Sequence, residues 1–191
     1  MNMKKQIKNM LGVVRCSMNC ISIKPNNSHV YIGKNVKVVG GKGIRLSSEV
    51  CIRPYVSLWC NGGEIEIGRG TEIGERCRIS IVNSLIIGED TLISPNVYIT
   101  DCDHAYEEIS VPIMKQGIVN SNYRVRIEKH VYVGINVVIV GNITIGQGSV
   151  IGANSVVTRS IPEYCVAVGA PAQIIKKYNI ETKKWERYKS L

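Results

Sequence analysis

A six-residue repeat runs through most of this chain. From Ile127 the sequence divides into the consecutive blocks IEKHVY, VGINVV, IVGNIT, IGQGSV, IGANSV and VTRSIP, each opening with Ile or Val. The same register occurs upstream in the blocks IGRGTE (67–72), IGERCR (73–78), IGEDTL (87–92), ISPNVY (93–98) and ITDCDH (99–104), with a fainter copy from IGKNVK (32–37). A period of six matches neither the 3.6-residue period of an α-helix nor the two-residue alternation of a strand.

The repeat suits a short strand followed by a tight turn. Three such sides close a triangular coil of about 18 residues, and stacked coils form the parallel β-helix of hexapeptide repeats. Ile and Val favour strands, while Gly and Asn tolerate strained corners. Corner asparagines are expected at Asn35, Asn96, Asn136 and Asn154. The sequence predicts an all-β protein with about six coils over residues 30–173.

Three segments depart from the repeat. Residues 1–29 are predicted to form a basic N-terminal arm or short helix, and residues 105–126 a long excursion loop. Loops of this length within a regular solenoid are commonly functional. Residues 174–191 are predicted to form a helical C-terminal cap, from the spacing of Ile174, Ile175, Tyr178, Trp185 and Tyr188.

Composition places the chain among globular proteins of the cytoplasm. It has 191 residues, 45% hydrophobic and 20% charged, which fits one domain. No apolar run approaches the roughly 18 residues that cross a bilayer. The apolar run that follows Lys4, Lys5 and Lys8 is too short for a secretory signal. Seven cysteines without a C-x-x-C pair indicate reduced, buried thiols and no zinc site.

The net charge of +9 indicates an anionic partner. The basic residues form no tract interleaved with aromatic residues, so nucleic acid is not expected. A phosphorylated cofactor, an anionic glycan or a membrane surface would each suit their distribution.

Two stretches carry a family resemblance. Residues 131–177, from VYVGINVVIV to GAPAQIIKK, closely resemble the hexapeptide-repeat acyltransferases, in the branch of the maltose and galactoside O-acetyltransferases. The stretch TDCDHAYEE…PIMKQG is similar to the D-x-D-H-x-Y…P-I-x-x-Q-G stretch of enzymes from capsule and O-antigen gene clusters. The resemblance implies a left-handed coil, acetyl-CoA as acetyl donor, no metal, and a homotrimer whose active sites lie between subunits.

The resemblance assigns catalysis to His104, because it takes the final position of ITDCDH, the last hexad before the loop. A histidine that titrates near neutral pH can take the proton of an attacking hydroxyl. Asp101, Asp103 or a backbone carbonyl is expected to hold its other ring nitrogen. There are two alternatives. His104 is a loop residue without a catalytic role, or it forms a metal site with Asp101 and Asp103. Cys102 is expected at a coil corner, so a covalent role is disfavoured.

The resemblance also names residues for the two substrates. Asn83 matches an asparagine that contacts the acceptor, and the loop residues Tyr106, Glu107 and Gln116 are candidates for the same role. For acetyl-CoA, the candidates are backbone groups of Gly134 and Ile135, the stretch with Ala153, Thr158 and Arg159, and Lys176 near the phosphates. His130 and His29 are expected at a coil corner and in the lead-in to the coils.

The leading hypothesis is an acetyl-CoA-dependent O-acetyltransferase that modifies a sugar hydroxyl of a bacterial surface polysaccharide or its precursor, by direct transfer. N-acetylation of a nucleotide-linked amino sugar or an amine-bearing antibiotic is the second hypothesis, and a non-catalytic solenoid is the third. The basic N-terminal arm packs on its own trimer or contacts the inner membrane surface. A monomer is the alternative to the trimer.

Overall fold

The computed structural model describes residues 3–24, 29–119 and 121–188. In it the chain winds into a parallel β-helix of about seven turns, which confirms the predicted fold class. The coils begin at Ser22, before residue 30, and end beyond the clear repeats, so there is about one turn more than the repeats indicate. The residues 1, 2, 25–28 and 189–191 of the two predicted flanks lie outside the described residues.

The strands of the described residues are short and regularly spaced. Before the loop they are β1 (Ser22–Ile23), β2 (Tyr31–Ile32), β3 (Lys37–Val39), β4 (Ile44–Leu46), β5 (Cys51–Ile52), β6 (Ser57–Cys60), β7 (Glu64–Ile67), β8 (Glu72–Ile73), β9 (Arg78–Ile81), β10 (Ser84–Ile87), β11 (Leu92–Ile93) and β12 (Tyr98–Thr100). After it they are β13 (Arg124–Ile127), β14 (Tyr132–Val133), β15 (Val138–Val140), β16 (Ile143–Ile145), β17 (Val150–Ile151), β18 (Val156–Val157), β19 (Cys165–Val168), β20 (Gln173–Asn179) and β21 (Lys184–Arg187). A single turn of 3-10 helix covers Gly41–Gly43.

These strands form three sheets, one for each side of the triangular coil. The first sheet contains β1, β4, β7, β10, β13 and β16, and the third sheet contains β3, β6, β9, β12, β15 and β18. The second sheet contains β2, β5, β8, β11, β14, β17 and β19, followed by β20 and β21. All pairs up to β19 are parallel. Each strand therefore pairs with the strand one coil away, as the repeat predicts.

Buried side chains of successive coils stack in columns inside the prism. One column on the side of the third sheet contains Val56, Cys77, Val97 and Val137, each no more than 1% exposed. Burial of a side chain of this size stabilises the fold by about 1.5–3 kcal/mol. The columns hold the coils in register, which fixes the outward positions where a site can be built.

Residues in the left-handed conformation turn the corners. At the corner between the second and third sheets, Asn96, Asn136 and Asn154 have φ values of 61°, 59° and 58°. Their side chains form a ladder, in which Asn96 Nδ2 donates to Asn136 Oδ1 at 3.1 Å and Asn136 Nδ2 donates to Asn154 Oδ1 at 3.0 Å. Asparagine adopts this conformation more readily than most residues, so the predicted corner positions are confirmed.

A helix covers the N-terminal end of the coils. Helix α1 (Met3–Met18) places Gly12 and Cys16 against the first coil, and both are buried. A Cβ atom at Gly12 would clash with the carbonyl oxygen of Val30. Among the helices of the described residues, none is both long enough and apolar enough to cross a membrane.

The C-terminal end is closed by a β-hairpin, so the prediction of a helical cap was wrong. Strand β20 runs antiparallel along β19, and β21 pairs antiparallel with β20. The last parallel strand has a free edge whose backbone groups need partners, and a strand satisfies them where a helix cannot. Tyr178 packs between Tyr164 and Trp185, with ring centroids 6.4 and 5.5 Å away.

Candidate active site

His104 lies just after β12, in a cleft of about 410 Å³ on the outer face of the third sheet. The cleft is lined by outward positions of neighbouring coils and by the start and end of the loop. Its lining residues are Trp59, Arg78, Ser80, Tyr98, Thr100, Cys102, Asp103, His104, Ile118 and Val140. The break in the repeat thus places the histidine beside a sheet face that the regular coils build.

The loop after β12 folds back to form a short antiparallel stem at His104. The backbone N–H of Ala105 donates to the Gly117 carbonyl at 3.1 Å, and the N–H of Val119 donates to the Asp103 carbonyl at 2.9 Å. His104 and Ile118 form the bridge between these two bonds. Beyond the stem, the described residues of the loop include a short helix, α2 (Ile113–Gln116). The stem therefore fixes the backbone of the candidate base.

The Gly117 carbonyl also lies 3.3 Å from Nδ1 of the His104 ring. A carbonyl oxygen accepts hydrogen bonds and cannot donate one, so this contact requires the proton on Nδ1. In the neutral ring, Nε2 then carries the lone pair, as a general base needs. Gly117 has φ 79° and ψ −152°, a region open essentially to glycine alone. The glycine of the PIMKQG stretch thus shapes the stem that orients the histidine.

Asp101 does not contact the ring. Its carboxylate is completely buried and accepts the backbone N–H groups of Val82, Asn83 and Ser84, each at 2.8 Å. Of the three orienting groups that the sequence left open, the geometry favours the carbonyl. Asp103 is exposed, and its Oδ1 accepts the backbone N–H of His104 at 2.8 Å.

The four acceptor candidates are placed outside the cleft lining. Asn83 Nδ2 donates to the Ser121 carbonyl at 2.9 Å, so this amide ties down the end of the loop. Gln116 Nε2 donates to the carbonyls of Glu108 and Val111, at 2.9 and 2.6 Å. Tyr106 and Glu107 are exposed on the loop. None of these four residues is among the described residues that line the cleft.

The sequence analysis missed the residues that do line the cleft on the side of the earlier coils. Trp59, Arg78 and Tyr98 occupy outward positions of β6, β9 and β12, while Ser80 and Thr100 form a buried floor. The available signal was their place in the hexads, because the third sheet's outward positions just upstream of ITDCDH must face the same side as His104.

Most cofactor candidates lie at the two edges of the third sheet. Ile135 is 41% exposed at the asparagine corner, and its carbonyl accepts the N–H of Asn154, the neighbour of exposed Ala153. The Gly134 N–H donates to the Ile151 carbonyl at 2.8 Å, so it is used within the coil. Thr158 and Arg159, both exposed, follow β18 at the opposite edge.

Lys176 stands apart from these candidates. It is exposed on β20, where it pairs with Val166 and Arg187 in the second sheet. The structure therefore brings five of the six cofactor candidates to the margins of the His104 face and leaves Lys176 on another side of the prism.

The remaining candidates have ordinary structural roles. Cys102 is half-buried in the cleft, and its Sγ lies 3.2 Å from Thr100 Oγ1. His130 is an exposed corner residue with φ 61°, as its place in the hexad predicts. His29 is exposed, and its carbonyl accepts the N–H of Glu49.

Comparisons with known proteins agree with this architecture. The family described as "Bacterial transferase hexapeptide (six repeats)" matches residues 124–159. The chain is 36% identical over 167 residues to WbbJ of Escherichia coli K12, which is named a lipopolysaccharide biosynthesis O-acetyl transferase. That similarity covers 85% of this chain and 79% of WbbJ. Four further acetyltransferases are longer, and the chain spans only 52% to 59% of their length.

Among the solved structures similar to this one are NeuO and AntD. The polySia-specific acetyltransferase NeuO has a TM-score of 0.53 and 27% identity, with 78% of this chain and 68% of NeuO covered. A variant of AntD, an N-acyltransferase of Bacillus cereus, has a TM-score of 0.66 with 89% and 90% covered. At 18% identity, AntD shows the fold alone. Because the chain is 36% identical to WbbJ over most of both sequences, it belongs to the hexapeptide-repeat acetyltransferases, acyltransferases that use acetyl-CoA.

Proposed function

We propose that the protein transfers an acetyl group from acetyl-CoA to a sugar hydroxyl of a bacterial surface polysaccharide or its precursor, with His104 as general base. The observation that carries this proposal is the contact of Nδ1 with the Gly117 carbonyl in a histidine that lines the cleft. In the neutral ring this contact assigns the proton to Nδ1 and the free lone pair to Nε2. The likeness to WbbJ supports the choice of a hydroxyl acceptor from a surface polysaccharide.

In the proposed reaction, Nε2 of His104 takes the proton of the sugar hydroxyl while its oxygen attacks the carbonyl carbon of the thioester. The carbon–sulfur bond then breaks, and His104 returns the proton to the departing sulfur. The products are an acetyl ester and the free thiol of CoA, so protons balance without a covalent enzyme intermediate. General base catalysis of this kind contributes a factor of about 10²–10⁴.

The donor fits the later coils of the third sheet. The outward side chains of β15 and β18 below His104 are the half-buried Val138, Val140 and Val156. An apolar strip of this kind suits the pantetheine arm of CoA, which would bring the thioester to His104. Arg159 at its edge offers a cation to the phosphates. The exposed Lys176 would contribute only if the nucleotide end of CoA reaches the second sheet.

We also propose a homotrimer in the cytoplasm, because the cleft is an open sheet face that a neighbouring subunit could close. Four of the seven cysteines, namely Cys16, Cys60, Cys77 and Cys165, are buried, which fits a reducing compartment.

The outer side of α1 exposes Leu11, Val14 and Met18, and we propose that it packs within the trimer. Contact with the inner membrane surface is the alternative. It predicts that wild-type protein floats with anionic liposomes and that the triple Ser variant of these three residues does not.

The test is a thiol-release assay with acetyl-CoA, a panel of sugars and amino sugars, and two matched variants, His104→Asn and His130→Asn. His130 is an exposed corner residue, and asparagine suits its backbone conformation. We expect His104→Asn to lose about 10²–10⁴-fold in kcat and His130→Asn to retain wild-type turnover. Wild-type kcat in His104→Asn would contradict the proposal. Release with amino sugars alone would favour the N-acetyltransferase.

A further inference from the structure

The outer face of the third sheet changes character at His104. In the later coils its outward side chains are Val138, Val140 and Val156, none of which carries a charge. In the coils just before His104, the outward side chains include Trp59 and Tyr98, with Arg78 between their strands. If the donor occupies the apolar strip, then the acceptor must approach from the side of Trp59, Arg78 and Tyr98.

Arg78 differs from the other arginines of the coils before the loop. Arg45, Arg53, Arg69 and Arg76 each have a glutamate carboxylate within 4.0 Å. Arg78 is exposed, and its Nε donates to Ser80 Oγ at 3.4 Å. Among the residues that the structure describes, no carboxylate lies within 4.0 Å of its guanidinium. An arginine without an ion-pair partner that lines a cleft is available to an anionic ligand.

Two aromatic side chains accompany this arginine. Tyr98 is the residue paired with Arg78 in the next coil, about 4.8 Å away along the stack. Trp59 lies in the coil before Arg78, where it pairs with Ser80 of β9. Both rings are half-buried and line the cleft. Aromatic rings offer large apolar faces beside polar groups, and these can receive the C–H face of a sugar.

The charges within the cleft set the direction of the acceptor. Arg78 and Tyr98 open their strands, whereas Asp103 and His104 follow the end of β12. Thr100 lies two positions beyond Tyr98 along the strand, a distance of about 7 Å. An anionic group is attracted to Arg78 and repelled by the carboxylate of Asp103. An anionic acceptor would therefore direct its hydroxyl to His104 and its charge to the opposite end.

We propose that the acceptor is an anionic sugar, whose carboxylate or phosphate pairs with Arg78 while its ring packs against Trp59 and Tyr98. This inference rests on the proposed function and names the acceptor class of that same site. It accounts for an unpaired cation in the cleft that acetyl transfer itself does not require.

The test compares three probes of the same sugar with the wild type, Arg78→Gln, Arg78→Lys and Arg69→Gln. The probes are methyl β-galactoside, which is neutral, methyl β-galacturonide, which carries a carboxylate, and galactose 1-phosphate. Arg69 lies between the first and second sheets, where it pairs with Glu49 and Glu89, so Arg69→Gln removes the same charge away from the cleft.

We expect the wild type to favour at least one charged probe over the neutral one by about 10- to 100-fold in kcat/KM, as a charge-assisted hydrogen bond provides. Arg78→Gln should abolish this preference through KM, Arg78→Lys should keep part of it, and Arg69→Gln should keep it all. Equal use of the neutral probe, or an equal loss with all three probes in Arg78→Gln, would overturn the inference.

A direct binding measurement separates failure of this inference from failure of the proposed function. If no probe releases CoA in the wild type, the proposed function loses its support. Calorimetric titration with methyl β-galacturonide and galactose 1-phosphate then tests Arg78 alone. Binding of either anion to the wild type and not to Arg78→Gln would sustain the anion site. No binding, or equal binding to both proteins, would reject it.

Discussion

The buried carboxylate of Asp101 accepts three backbone hydrogen bonds from residues 82–84, one coil earlier. Its neighbour three positions on, His104, is exposed in the cleft. The DCDH stretch thus joins an anchor that fixes the corner of the coil to a side chain that is exposed in the cleft. The conspicuous carboxylates of the motif support the backbone, and a carbonyl orients the imidazole.

Replacing Asp101 by Asn should destabilise the protein. The amide NH₂ group of Asn would face at least one backbone N–H, and a buried donor without an acceptor costs about 1–3 kcal/mol. We expect a lower free energy of unfolding by about that amount in urea denaturation. Asp103→Asn is the control, because Asp103 is exposed, and its change should stay within about 0.5 kcal/mol. Equal stabilities of the two variants would disprove the anchoring role.

Replacing Gly117 by Ala should impair turnover more than folding. Gly117 and Gly62 both have positive φ, 79° and 84°, and an added Cβ would meet open space at either position. The strain of each substitution is about 1–3 kcal/mol, so Gly62→Ala is a matched control. We expect Gly117→Ala alone to lower kcat, because the carbonyl that contacts Nδ1 of His104 would move. An unchanged kcat would show that turnover does not depend on this contact.

At the scale of single residues, the sequence marks His104 as a candidate and does not mark the residues around it. The histidine belongs to a recognisable motif. The Gly117 carbonyl that contacts it is a backbone group, so no residue type in the sequence identifies it. The hexads indicate that Trp59, Arg78 and Tyr98 lie on the same side of the coil as His104. Their residue types give no further signal, because the outward positions of a solenoid accept almost any residue. Asn83, from the family resemblance, and Gln116, from its place on the loop, are acceptor candidates in the sequence. In the structure the amides of both tie down the loop.

At the scale of elements, the buried column of Val56, Cys77, Val97 and Val137 should make the stability of the protein depend on pH, through the thiol of Cys77. Burial raises the pKa of Cys77 from 9.0 to about 11. The folded thiol stays protonated where the unfolded thiol ionises, so its contribution to stability is complete below about pH 9 and is lost as the pH rises towards about 11. Burial also raises the pKa of Cys16 to about 11, so its contribution to stability is lost over the same pH range.

The variant Cys77→Val removes one of these thiols and keeps the shape of the column. We expect a loss of stability below about 1.5 kcal/mol at pH 7. Between about pH 9 and 11, the unfolding free energy of the variant should fall less steeply than that of the wild type, by up to about 1.4 kcal/mol per pH unit. Parallel curves would mean that Cys77 titrates alike in both states.

The predicted C-terminal helix shows where element-scale reasoning from sequence fails. The spacing of Ile174, Tyr178 and Trp185 resembles a helical face, yet these residues lie in a hairpin along β19. Ile, Tyr and Trp favour strands, and the open edge of the last coil supplies hydrogen-bonding partners that no local sequence window reveals.

At the scale of the whole molecule, the repeat predicts nearly everything about the fold. The six-residue period determines the strand length, the three sides, the stacking columns and the corners. Each coil carries the same sequence pattern, so each coil supports the same prediction. The period does not predict the two ends of the solenoid or the loop, because each of these segments occurs only once. For the same reason the assembly of subunits cannot be read from the period.

The proposed trimer predicts a solution mass of about three times the 21.1 kDa of one chain, since the open cleft would be closed by a neighbouring subunit. Sedimentation equilibrium measures this mass directly. A value near that of one chain would reject the trimer and require each cleft to act alone.

A crystal structure with CoA tests the central claim most directly, namely that acetyl transfer takes place beside His104 on the outer face of the third sheet. We expect the pantetheine arm along Val138, Val140 and Val156, with its sulfur next to Nε2 of His104. If the sulfur lay on the first or second sheet, away from His104, the proposed site and the role of this histidine would both be contradicted.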